Sequence, residues 1–141
     1  MNKRKILSTI LLGIGLSAYS QETFKGVLTN NDYDVFIHLN LYEENVKIPG
    51  QEILGETYGY LKKKTDSRVW VITDVELGDD GKSANIELTN DYGSEDLTAM
   101  ITLQDDGSYT LKQLNGSTIK VAGKGKWIKL PKVLTFQKNG K

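Results

Sequence analysis

The sequence predicts an all-β fold: one antiparallel meander closed into a small barrel of eight or nine strands, with a β-sandwich as the alternative. Three observations predict it. Apolar side chains recur at every second position from Phe24 onward, the period of a half-buried strand. Tight turns rich in Gly, Asn and Asp punctuate the apolar runs. No stretch beyond the first 20 residues holds a helical period. A meander of short strands must curl or fold over to protect its edges, and glycines inside the strands favour curling into a barrel.

The chain has 141 residues, enough for one domain. Its first segment does not belong to that domain. Asn2-Lys3-Arg4-Lys5 is basic, Ile6 to Leu16 is apolar except for Ser8, Thr9 and two glycines, and Ala18-Tyr19-Ser20 ends in small residues. That pattern predicts a secretory signal peptide over 1–20, cleaved after Ser20, and a domain over 21–141. The apolar run is shorter than the roughly 20 residues that span a bilayer. The expected location is periplasmic or secreted. With no cysteine, neither a lipid anchor on Cys nor a disulfide is available, so the domain relies on its apolar core.

The elements follow in order. Thr23 to Leu28 predicts a first strand, and Asn30-Asn31-Asp32 a turn. Val35, Ile37, Leu39 and Leu41 alternate with Phe36, His38, Asn40 and Tyr42 in a second strand. The polar segment 43–51, with Pro49-Gly50, reads as a loop. Leu54 to Lys63 reads as a third strand carrying Tyr58 and Tyr60, with Gly55 and Gly59 marking bends. Arg68 to Leu77 reads as a fourth, with Val69, Val71, Val75 and Leu77 on one face and Trp70, Ile72, Asp74 and Glu76 on the other. Gly78-Asp79-Asp80-Gly81 turns the chain into Ser83 to Asn90. The turn 91–95 leads to a strand through Leu97, Ala99, Ile101 and Leu103, and Asp105-Asp106-Gly107 to Tyr109–Leu114. Ser117 to Ala122 is a short strand, Lys126 to Phe136 a last one interrupted at Pro131, and 137–141 is expected to fray.

Chemistry is sparse. His38 is the only histidine, and no Gly-x-Ser-x-Gly elbow or Cys accompanies it, so no catalytic residue is assigned. One His and no Cys leave too few ligands for zinc. Asp79, Asp80, Asp105 and Asp106 suit turns as well as they suit calcium. Asp74 and Glu76 share a strand face but read as a solvated one, not a glycosidase pair. No metal or other cofactor is expected. Removing Lys3, Arg4 and Lys5 leaves 15 Lys and Arg against 18 Asp and Glu, which gives no support for nucleic-acid or anionic-membrane binding. Short, charge-bearing strands also argue against insertion as an outer-membrane barrel.

The aromatic residues are the most suggestive feature. Tyr42, Trp127 and, above all, Phe36, Tyr58, Tyr60 and Trp70 sit in strands. Rings so placed fill a core or line a binding site. Phe36, His38, Tyr58, Tyr60 and Trp70 are therefore the candidate ligand-binding set, for a small apolar or amphipathic ligand or a protein partner. The expectation is a non-enzymatic binding protein. An inhibitor or immunity-type protein is the alternative, and a carboxylate-dependent hydrolase the third reading.

Phe24-Lys25-Gly26, the strand Val35 to Leu41, Gly55-x-x-Tyr58-x-Tyr60 and Gly125-Lys126-Trp127 together resemble small exported β-meander proteins of Bacteroidetes-type bacteria. The resemblance covers nearly the whole domain and departs at 43–51, which is longer, and at 117–124, where the glycines shift. It implies a lipocalin-like or calycin-like barrel and carries no activity or functional residue.

Overall fold

The computed structural model describes residues 22–139, and the expected signal peptide lies outside them. Eight strands form a closed antiparallel barrel. They are β1 (Lys25–Asn30), β2 (Val35–Asn40), β5 (Gly59–Lys63), β6 (Val69–Leu77), β7 (Ser83–Asn90), β8 (Asp96–Leu103), β9 (Tyr109–Gly116) and β12 (Val133–Lys138). Each pairs with the next, and β12 closes onto β1. Two short hairpins interrupt the meander: β3 (Val46–Lys47) with β4 (Glu56–Thr57), and β10 (Lys120–Ala122) with β11 (Trp127–Lys129).

Alternation sets the faces. Val35, Ile37 and Leu39 of β2, Ala84, Ile86 and Leu88 of β7, Leu97, Ala99 and Ile101 of β8, and Leu134 and Phe136 of β12 all point inward. An eight-stranded barrel is just wide enough for side chains to fill it, and here they do. The outer faces carry Asp74, Glu76, Asn85, Glu87 and Lys112, all exposed. That is the reverse of the apolar-out arrangement of a lipid-facing barrel.

The sequence reading of β6 needs correction. Trp70 and Ile72 face the interior, opposite Leu61 and Leu88, but Asp74 and Glu76 do not share their side. A bulge between Ile72 and Asp74 inserts Thr73 and resets the phase, so Val75 packs inward and the two acids face solvent. Below the bulge Val69 and Val71 face outward, into a second small core.

That second core explains the chain between β2 and β5. The expected loop and the first half of the expected third strand are instead a flap: β3, a turn of 3-10 helix at Glu52–Leu54, then β4; the second half is the barrel strand β5. Val46, Ile48 and Leu54 lie over Phe36, Tyr60, Val69 and Val71 on the outer wall. Gly59 allows the return into β5. Its φ is +147°, and a Cβ there would stand 2.4 Å from the His38 carbonyl oxygen.

Of the tail expected to fray, Gln137 and Lys138 instead pair with Thr29 and Leu28, and 140–141 lie outside the described residues. The seam is extended by Asn139, whose N–H donates to the Val27 carbonyl (2.8 Å), and by buried Asn30, whose Nδ2 donates to the Thr135 carbonyl (2.8 Å). Closure requires the last strand, so it orders residues that look like a polar tail. The continuous segment Lys126 to Phe136 divides at Pro131 into β11 and β12.

Candidate functional site

The barrel has two unlike ends. At one, residues 22–24 meet the β6–β7 and β8–β9 turns. Phe24 packs edge-on against Tyr109 with ring centroids 6.2 Å apart, and the Tyr109 hydroxyl donates to the Thr23 carbonyl (2.6 Å). The Phe24 N–H donates to the Tyr42 hydroxyl (2.9 Å). Burial raises the pKa of both tyrosines. The acidic turns here serve their own backbone. The Asp80 carboxylate accepts from the Lys82 N–H (2.9 Å), and that of Asp106 from the Ser108 hydroxyl (2.6 Å) and N–H (3.0 Å). Hydrogen bonding by the Ser108 side chain and then its backbone holds Asp106 below the usual carboxylate range. Among the described residues no group of three or more His, Asp or Glu side chains stands together as a metal site.

The other end gathers the β5–β6 and β7–β8 turns, the tip of the flap and the β10–β11 hairpin. The hairpin folds over the barrel as a plug. Ile119, Val121 and Leu130 enter the main core, and Gln113 secures them: its Oε1 accepts from the Ile119 N–H (2.8 Å) and its Nε2 donates to the Pro131 carbonyl (3.1 Å). Trp70 reaches up from β6 and its indole N–H donates to the Lys120 carbonyl (3.1 Å).

Beside this plug lies a cleft of about 210 Å3, lined by Trp70, Trp127, Arg68, Asp66, Glu95 and Lys120 among others. The Arg68 guanidinium lies over the Trp127 ring, 4.5 Å from its centroid. Its Nε donates to both oxygens of Asp66 (3.0 and 3.2 Å). Burial alone would raise the Asp66 pKa; the hydrogen bonds and charge of Arg68 outweigh it and lower the pKa. Across the cleft Lys120 Nζ and Glu95 pair at 3.1 Å. A second, more open cleft of about 380 Å3 lies on the outer wall between the flap and the β7–β8 turn, and Tyr92 and Asp91 border both.

This rim carries large apolar side chains in solvent. Ile53 is 94% exposed, Tyr92 79% and Trp127 55%. The flap tip holding Ile53 is tied to the turn holding Tyr92 by Gln51, whose Nε2 donates to Asp91 Oδ2 (3.3 Å).

The five residues singled out in the sequence fall into three places. Phe36, His38 and Tyr60 come together on the outer wall, with Tyr60 centroids 5.8 Å from Phe36 and 5.7 Å from His38. Tyr60 is buried under the flap, and burial lowers the His38 pKa and raises that of Tyr60. Trp70 stands at the plug, in the cleft wall. Tyr58 packs on the main core, near the end away from the plug. Sequence reasoning passed over Tyr92, Ile53 and Arg68, and noted Trp127 only as one more ring. Tyr92 carried a signal: it is the one large apolar residue in the polar turn 91–95, where a turn needs none.

No family model, curated protein or solved structure matches the chain.

Proposed function

We propose that this is an exported, non-enzymatic binding protein of lipocalin-like architecture that engages a partner protein through the plugged end of its barrel. One observation carries the reading: the interior is filled by its own side chains, while Tyr92 and Trp127 stand exposed beside one cleft, with exposed Ile53 on the flap tip that Gln51 ties to the Tyr92 turn. Burying rings at such a position is how partner surfaces gain affinity, and Tyr, Trp and Arg are the residues that dominate it. Arg68 on the Trp127 face adds a rigid cationic shelf at the centre. An inhibitor or immunity-type role fits this surface, since blocking another protein needs a rim and no chemistry.

The test is capture from the native exported fraction with the purified domain as bait. The Tyr92→Ala/Trp127→Ala double variant is expected to lose the captured protein. The control is Leu77→Ala, exposed at the far end of β6. Equal capture by both variants, each folded by circular dichroism, overturns the reading. Export itself is checked by the N-terminal mass of the protein recovered from that fraction, expected to begin at Gln21. At about 210 Å3 the cleft beside the rim is smaller than the roughly 300–1,000 Å3 of a drug-sized ligand pocket, so native mass spectrometry of the isolated protein is expected to show no bound small molecule.

A further inference from the structure

We infer that the outer edge of β11 accepts an extended, acidic segment of the partner as a third strand, with one of its side chains entering the cleft beside Trp127. The inference rests on the rim-binding reading and names the chemistry of the partner.

Hydrogen-bond direction shows which edge is open. In the hairpin the Gly123 N–H donates to the Lys126 carbonyl (2.7 Å) and the Leu130 N–H to that of Ile119 (2.9 Å). Antiparallel pairing alternates, so the peptide groups of Trp127 and Lys129 point away from β10. On β10 the corresponding outward carbonyl, that of Lys120, is held by the Trp70 indole. The β10 edge is therefore turned to the barrel and the β11 edge away from it. The barrel itself is closed, and β3–β4 offers only two residues a strand. Adding a strand to a free edge is an established mode of peptide recognition.

Charge selects the strand. From Gly107 to the end the sequence has eight lysines and no Asp or Glu, whereas 21–106 holds seven Lys and Arg against 18 acids. Lys124, Lys126, Lys129 and Lys132 surround β11, all exposed. Such an edge repels a second copy of itself and attracts a strand bearing carboxylates. A uniformly anionic polysaccharide or bilayer fits less well, because Asp66, Asp91 and Glu95 line the cleft it would enter. A polypeptide places its carboxylates on alternate residues and keeps an uncharged one for the cleft.

The test uses the domain with a labelled peptide of about ten residues alternating Glu and Val around one central Leu, long enough for one added strand. Its companions are the same peptide N-methylated on alternate residues, its Lys-for-Glu twin, polygalacturonate, and phosphatidylglycerol vesicles. Binding is read by anisotropy, by Trp127 emission (the part of the tryptophan signal that Trp127→Phe removes, Trp70 supplying the rest) and by amide shifts over 126–130. The acidic peptide is expected to bind, with affinity reduced roughly tenfold or more by N-methylation and by Lys126→Glu/Lys129→Glu, and unchanged by Lys112→Glu on the β9 wall. Absence of binding overturns the inference. So does equal binding of the N-methylated peptide, or tighter binding of polygalacturonate or vesicles. Trp127 emission that responds equally to the N-methylated peptide removes strand addition and leaves the rim as a binding surface. The rim reading itself fails only with the Tyr92/Trp127 capture experiment.

Discussion

At the scale of single residues, the aromatic side chains divide by what their polar atoms are given. Trp70 is 6% exposed and spends its indole N–H on the Lys120 carbonyl, joining barrel wall to plug. Trp70→Phe removes that donor, strands a carbonyl and leaves part of the ring volume empty. It is expected to cost about 2–3 kcal/mol in urea unfolding; a loss under about 0.5 kcal/mol, the level of a surface change, would show the bond carries nothing. Trp127→Phe, at an exposed ring, is expected to leave stability unchanged within that same margin of about 0.5 kcal/mol. His38 behaves differently. Burial favours its neutral form, so its folded pKa lies below 6.5 and the unfolded chain takes up the proton first. Its contribution is complete above pH 6.5 and is lost as pH falls from there through the folded pKa. Carboxylates with lowered pKa, Asp66 and Asp106, act in a separate window, below 3.8. An NMR titration of the single imidazole should give a midpoint below 6.5, and His38→Gln should flatten the stability profile between pH 7 and 5 while leaving the acid limb in place. A midpoint at or above 6.5 contradicts this account.

At the scale of elements, side-chain alternation is legible wherever the strand is regular. The strand Ser83–Asn90 stands where the period places it, because Ala84, Ile86 and Leu88 never change phase. β6 shows the limit. Its bulge falls in Ile72-Thr73-Asp74, where no glycine or proline marks it, and only the partner strand reveals that two residues oppose one. The flap is a second limit. Leu54 to Lys63 alternates plausibly, but Gly55 at φ +69° and Gly59 at φ +147° break it into two strands, a break the tertiary packing of Val46 and Ile48 rewards. The bulge makes a sharp prediction. Deleting Thr73 regularises β6 yet keeps Ile72 and Val75 facing inward, so the variant should fold, with a loss in the ordinary range of about 0.5–3 kcal/mol. Deleting Glu87 from regular β7 forces either Ile86 or Leu88 to the outer face and should abolish cooperative unfolding. The two are compared by near-ultraviolet circular dichroism and thermal melts; equal damage from both would show that Thr73 is no bulge.

At the scale of the whole molecule, closure was legible and the candidate site was not. Short strands with no cysteine, and among the described residues no covering helix, have to bury one face against themselves, and the barrel follows. The rim is assembled from residues 68, 92 and 127, which line one cleft, and the flap tip at 51–53 tied to it through Asp91; these lie on four separate excursions, and no local spacing announces that they come to one end. The same remoteness governs the seam, where β12 must find β1 across the length of the domain. Among the described residues only Leu28 with Lys138 and Thr29 with Gln137 pair there, the shortest register in the barrel. Asn30 and Asn139 lengthen it by side-chain and backbone bonds to Thr135 and Val27. Ending the chain at Phe136 removes both registered partners and the Asn139 bond, yet leaves the buried Phe136 and Leu134 in the core. The barrel should therefore still collapse but expose β1 as an unpaired edge, which associates with other copies. Light scattering after size exclusion should show concentration-dependent oligomers, and amide exchange over Val27–Asn30 should quicken by roughly tenfold or more, while β7 and β8 keep their protection. A truncated chain that stays monomeric, with β1 as protected as in the intact protein, would mean that interior packing alone holds the first strand and that the seam is dispensable.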